Sequence, residues 1–142
     1  MSLPEWTDEE LQQWGKNLFW VFSLLPLVYF KQQGQSIADY GKFVGEFFAP
    51  GWEKGKGALE IARQQAFNYA SVGATLISLE GDEKRATVVI DIPIKEIANN
   101  FNLSLEEVDL FVGDNFKPIA VFLDMTYTSQ YEGERWTWEF SY

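Results

Sequence analysis

Along the first half of the chain, apolar positions recur every three or four residues, and from Gly73 onward two stretches change to strict alternation. Leu11, Trp14, Leu18, Phe22, Leu25 and Tyr29 follow at helical spacing, while Phe19, Trp20, Leu24, Leu27 and Phe30 fill the remaining faces of the same segment. Its start is written in side chains. In Thr7-Asp8-Glu9-Glu10 the Thr7 hydroxyl can accept the Glu10 backbone N–H while the Glu10 carboxylate reaches back, and Trp6 and Leu11 fall at hydrophobic-staple positions. Gly34 is the expected stop and Pro26 the expected kink, because proline removes one backbone bond and crowds the preceding turn. A helix whose second half is apolar all round is expected to be enclosed, by other elements or by a second chain.

Ser36 to Asp39 opens a second predicted helix with Ile37, Tyr40, Phe43, Val44, Phe47 and Phe48, broken at Ala49-Pro50-Gly51. A third runs from about Ala58 to Ala70. GATLISLE and RATVVIDI around GDEK then predict a hairpin. Pro93 suits the start of a short helix in PIKEIANNF, and Ser104 with Glu107 forms another capping box before LEEVDLFV, which should break at Gly113-Asp114-Asn115. IAVFLDMTYTSQY and RWTWEFSY predict a second hairpin about Glu132-Gly133-Glu134, with Val121, Leu123, Met125 and Tyr127 sharing its apolar side. In the last strand Trp136, Trp138, Phe140 and Tyr142 alternate with polar residues and form an aromatic face. Such a face needs a cover. The expected fold class is therefore α+β: a single domain over 1–142, with N-terminal helices packed on a four-stranded antiparallel sheet made of two hairpins.

Leu18 to Phe30 is the most apolar run, but its thirteen residues fall short of the roughly 20 that a spanning helix needs. PEWTDEE before it and KQQGQ after it do not fit a secretory signal, so no targeting segment is expected and a cytoplasmic location is the default. Met1-Ser2-Leu3 has the form of an expression remnant, and the sequon Asn102-Leu103-Ser104 is expected to be inert without a secretory route. Eleven basic against twenty-one acidic residues give a net charge of −10, which opposes phosphate backbones and argues against a nucleic-acid partner.

The chain has neither cysteine nor histidine. This excludes thiol nucleophiles, thiolate or imidazole metal sites and the commonest general base, so no metal, cofactor or catalytic set is assigned. GWEKGKG has the wrong spacing for a phosphate loop, no Ser or Thr after its lysine and no strand before it. Any catalysis would rest on carboxylates. Asp91 and Asp124 interrupt apolar strands, where burial would raise their pKa, but period two turns both to solvent, and that is the favoured reading. Asp39 and Glu46 read as a cap and a solvated residue, and Glu106, Glu107, Asp109 and Asp114 as a solvated helix face lacking calcium-loop spacing.

Aromatic residues make up 17% of the chain. Side chains this bulky are hard to interdigitate completely, and any gap left between them would be apolar. The candidate ligand-binding set is Trp20, Tyr29, Tyr40, Phe43, Phe47, Trp52, Trp136 and Trp138, expected between the aromatic sheet and the first two helices.

KPIAVFLDMTYTSQYEGERWTWEF resembles the terminal segment of the 4-vinyl reductase domain and of the related L-2-amino-thiazoline-4-carboxylic acid hydrolase-like proteins. There, a helix-to-strand segment leads through a Gly-acid turn into a short strand bearing a cysteine and an aromatic residue. Gly133 and Glu134 take the turn positions, while the cysteine position falls on Trp136 or Thr137. YFKQQGQSIADYGKFVGEFF is similar to the family's N-terminal helices in placement. The resemblance implies a fold shared with small-molecule sensors and with vesicle-tethering subunits that accommodate acyl chains, without the hydrolase's cysteine chemistry. Three readings follow: a non-catalytic domain binding a small hydrophobic or aromatic ligand, a homodimeric interaction module, and a carboxylate-dependent hydrolase.

Overall fold

Thr7 and Glu10 close a reciprocal capping box at the start of α1 (Asp8–Gln32), in a computed structural model that describes residues 5–142. Met1-Ser2-Leu3 lies outside the described residues. The helix ends as a Schellman turn: Gly34 has φ +67°, its N–H donates to Lys31 O at 3.2 Å, and the Gln35 N–H donates to Phe30 O at 2.8 Å. The helix runs on through Pro26. Proline leaves the Phe22 carbonyl without its helical donor, and Phe22 lies on the exposed side.

Ser36 caps α2 (Ile37–Phe48), which passes through a single 3-10 turn at Ala49–Gly51 into the loop before α3 (Ala58–Ala70). The next elements are β1 (Thr75–Gly81), β2 (Arg85–Asp91), α4 (Lys95–Asn100) and α5 (Leu105–Val112). The last are α6 (Lys117–Phe122), β3 (Thr126–Glu132) and β4 (Arg135–Ser141). The two hairpins join through their inner strands into one antiparallel sheet of order β1-β2-β4-β3.

Alternation decides the sheet's inner face. Val88 stands opposite Trp138, Ile90 opposite Trp136 and Ala86 opposite Phe140, and all six are buried. Among the N-terminal helices α3 lies directly across the sheet, against β2, β1 and β4, and α6 covers β3. The carbonyls of Glu83 and Asp82, on the first hairpin turn, accept from the Ala58 and Leu59 N–H groups at 2.8 and 3.0 Å and so satisfy the first turn of α3. α1 and α2 form an outer layer. Trp20 of α1 reaches the core by stacking toward Tyr69, which in turn packs on Trp138 with ring centroids 4.9 Å apart.

One expected element differs. Ile119 to Phe122 is helical, and the strand begins only at Thr126. Pro118 near the helix start fixes φ there, and Ile119, Ala120 and Leu123 are buried at helical spacing while Val121 points outward, 76% exposed. Asp124, at φ +58°, then turns the chain: its N–H donates to Val121 O at 3.1 Å and that of Met125 to Ala120 O at 2.9 Å. Asp124 thus ends a helix rather than interrupting a strand.

Candidate functional site

Two glycines set how closely α2 approaches the rest of the protein. A Cβ on Gly41 would overlap the Leu110 carbonyl, and one on Gly45 would overlap the Asn115 carbonyl and the Pro118 ring. α2 therefore lies tight against α5, the turn at Asp114–Phe116 and α6. Beside this contact a cleft of about 620 Å³ opens between α1, α2, the loop after α2, and α3, with Phe111, Asn115 and Ile119 also in its lining. Phe19 and Trp20 come from α1, Val44 and Phe48 from α2, Trp52 from the loop, and Ile61, Gln65 and Tyr69 from α3. Its volume falls in the range of small-molecule sites, roughly 300–1,000 Å³.

The floor is fixed by hydrogen bonds. Trp20 Nε1 donates to Val72 O at 2.9 Å, which sets the indole's orientation. The Tyr69 hydroxyl donates to Val112 O at 3.2 Å and accepts from Asn115 Nδ2 at 3.3 Å. Trp52 meets Phe116 edge-on at 5.2 Å between centroids, tying the cleft wall to the aromatic core. At the mouth stand Glu53, Lys56 and Glu60, the first two 3.7 Å apart as an ion pair.

Gln65 is the most buried of the polar residues that line the cleft, the others including Gln64, Asn68 and Asn115. It is 4% exposed and lines the cleft, and its carboxamide enters none of the side-chain hydrogen bonds among the described residues. Its neighbour Gln64, by contrast, is engaged with Asn68 at 3.1 Å. Its amide is not one of the fully enclosed unpaired groups, which among the described residues are Ser129 Oγ and Trp138 Nε1, so it opens onto the cleft and offers a donor and an acceptor to whatever enters.

Of the eight aromatic residues expected to line a ligand site, the structure brings Trp20 and Trp52 to this cleft. Trp136 and Trp138 are wholly buried on the sheet beneath α3. Tyr40 stacks on Phe111 at 5.7 Å and on Phe30 at 5.1 Å, and Tyr29, Phe43 and Phe47 point outward at 58%, 60% and 69% exposure. Gln65, Tyr69, Asn115 and Phe48 are cleft residues that the sequence reading does not pick out as a site. One signal was available: Ile61, Gln65 and Tyr69 lie four residues apart, which puts a glutamine on the buried face of α3.

Asp91 is part-exposed and Asp124 exposed, in keeping with the solvent reading of the sequence, whereas Asp109 departs from its expected solvated face. Asp91 forms a two-pronged pair with Arg135, Oδ1 to Nε at 2.7 Å and Oδ2 to Nη2 at 2.9 Å, and these hydrogen bonds hold its carboxyl below the usual range. Asp109, expected on a solvated face, is half-buried against the sheet and accepts from Trp136 Nε1 at 2.8 Å; burial pushes its carboxyl up. Glu134 of the Gly-acid turn accepts from the Ile94 and Lys95 N–H groups at 2.8 and 3.1 Å, capping α4 from across the sequence. Within the cleft, burial pushes the Tyr69 phenol up to about 12, so it stays protonated and acts as a donor. Among the described residues, no group of three or more carboxylates is placed to hold a metal ion, and no helix is long and apolar enough to cross a membrane.

No family model matches the chain, and no curated protein is significantly similar to it.

Proposed function

We propose that the protein is a non-catalytic binding domain whose ligand occupies the cleft between α1, α2 and α3. One observation carries the reading: a cleft of about 620 Å³ is walled largely by Phe19, Trp20, Phe48, Trp52 and Ile61, with the side chain of Gln65 in its lining and Glu53, Lys56 and Glu60 at its mouth. Apolar walls favour burial of a ligand's body, and a few polar groups fix its orientation, Gln65 the most buried of them. The ligand is accordingly a small, flat or acyl molecule with one hydrogen-bonding group, a carbonyl or amide, directed at Gln65. The Gln65 amide and the protonated Tyr69 phenol are not equipped for nucleophilic or base chemistry near neutral pH, and the carboxylates of Glu53 and Glu60 stand exposed at the mouth rather than inside, which favours binding over turnover. The resemblance of the C-terminal segment to the 4-vinyl reductase domain supports the same class of function.

Thermal unfolding against a panel of aromatic, acyl and amide-bearing compounds tests it. Binding to the folded state raises Tm in proportion to RT ln(1 + [L]/Kd), so a true ligand gives a saturable rise, about 2.7 kcal/mol of stabilisation at a hundred times Kd. A flat response across the panel would sink the proposal.

A further inference from the structure

α1 has two apolar faces on opposite sides. Trp20, Leu24 and Leu27 are buried against the protein, whereas Leu11, Trp14, Leu18, Phe22, Leu25 and Tyr29 form a stripe on the far side, each between 38% and 66% exposed. None of the residues from Asp8 to Phe19 is buried, so the first three turns add little to the core. A contiguous apolar stripe of this size marks an interaction surface more often than a free one. The stripe is also regular: Leu11 and Phe22, Trp14 and Leu25, and Leu18 and Tyr29 are each eleven residues apart, a repeat that keeps a seam aligned along paired helices.

We propose that this stripe is the interface of a symmetric homodimer in which two copies of α1 pair antiparallel. Area supports a second copy. The exposed parts of the six side chains amount to on the order of 600 Å² per copy, hence about 1,200 Å² for a pair, which meets the size of a stable interface. The stripe is centred near Trp20, so antiparallel pairing sets Leu18 against Phe22 and Leu11 against Tyr29 of the second copy, as a two-fold axis requires. Charge favours the same direction. Parallel helices would place Asp8, Glu9 and Glu10 of both copies side by side, whereas antiparallel ones place them against the final turn with Lys31 and oppose the helix dipoles. The acidic start of the helix and the net charge of −10 disfavour an anionic membrane surface as the cover.

Sedimentation equilibrium of the full chain tests this. The wild type should sediment at twice the 16.4 kDa of the chain, and Leu18→Glu/Phe22→Glu, with unchanged circular dichroism, should sediment as the monomer. Because the chain has no cysteine, Leu18→Cys and Phe22→Cys can be mixed and oxidised; the mixed 18-to-22 disulfide should exceed either like-with-like product. A wild type that is monomeric up to about 100 µM, a range that covers micromolar dissociation constants, overturns the proposal. So does a dimer that survives the double Glu variant. Predominant 18-to-18 linkage overturns the antiparallel arrangement.

Discussion

The phenol of Tyr69 accepts a hydrogen bond from Asn115 Nδ2 at 3.3 Å while donating to the Val112 carbonyl, and so joins α3 to the far end of α5 at the floor of the cleft. Replacing Tyr69 by Phe removes both bonds but keeps the ring on Trp138. The Val112 carbonyl and the Asn115 amide lose their partner, so Tyr69→Phe should lower stability by about 1–3 kcal/mol, read from the urea midpoint at unchanged m.

Gly45→Ala should also destabilise, for a different reason. The new methyl meets backbone at Asn115 and ring carbons at Pro118, neither of which can swing aside. Overpacking of this kind is unfavourable by about 1–3 kcal/mol, of which the better helix propensity of alanine returns up to about 1. A Tm equal to or above the wild type would mean that α2 is not seated as closely as described.

Two tryptophans on one strand should respond unequally to truncation. Trp136 and Trp138 are equally buried, but Trp136 Nε1 donates to Asp109, whereas Trp138 Nε1 is enclosed without a partner. Phe in place of either removes the same ring atoms. Trp136→Phe additionally strips a half-buried carboxylate of its donor, so it should be the more destabilising, by about 1–3 kcal/mol, in parallel denaturation curves.

The pH dependence of stability should carry two opposite signs. Asp91, held down by Arg135, and Glu107, held down first by the Ser104 N–H and then by Lys31, contribute stability that is present above the ordinary carboxylate range and is lost as pH falls through their lowered values. Asp109 is raised by burial, so its contribution is present below the ordinary value and is lost as pH rises through the raised one. Asp109→Asn keeps an oxygen for Trp136 Nε1 without a buried charge. Relative to wild type it should gain Tm near pH 7, and the gain should shrink as pH falls toward 4; a pH-independent difference would contradict the assignment.

Local chemistry made most of the fold legible. Thr7 with Glu10, and Ser104 with Glu107, fix helix starts through contacts three residues apart, and the alternation from Arg135 to Ser141 fixes a strand face; such signals need no tertiary information. Ile119 to Leu123 misled because a short apolar run reads equally as strand or helix, and only Pro118 and the left-handed Asp124 decide it. Packing placed the site where composition could not. Trp136 and Trp138 were as aromatic as Trp20 and Trp52, but α3 separates the sheet from the cleft, and Gln65 gains meaning only once α1 and α2 wall it in. Glu134 likewise caps a helix about forty residues away, a relation that spacing cannot reveal.

Titration with 1-aminoanthracene, an aromatic amine whose emission rises in apolar surroundings, bears most directly on the cleft as a binding site. Trp20 and Trp52 in its walls serve as energy donors. The wild type should bind one probe per chain with saturable energy transfer. Val44→Trp, which fills the cleft from α2, should abolish that transfer while leaving the circular dichroism spectrum unchanged. Absence of saturable binding, or equal binding by the wild type and Val44→Trp, would contradict the account.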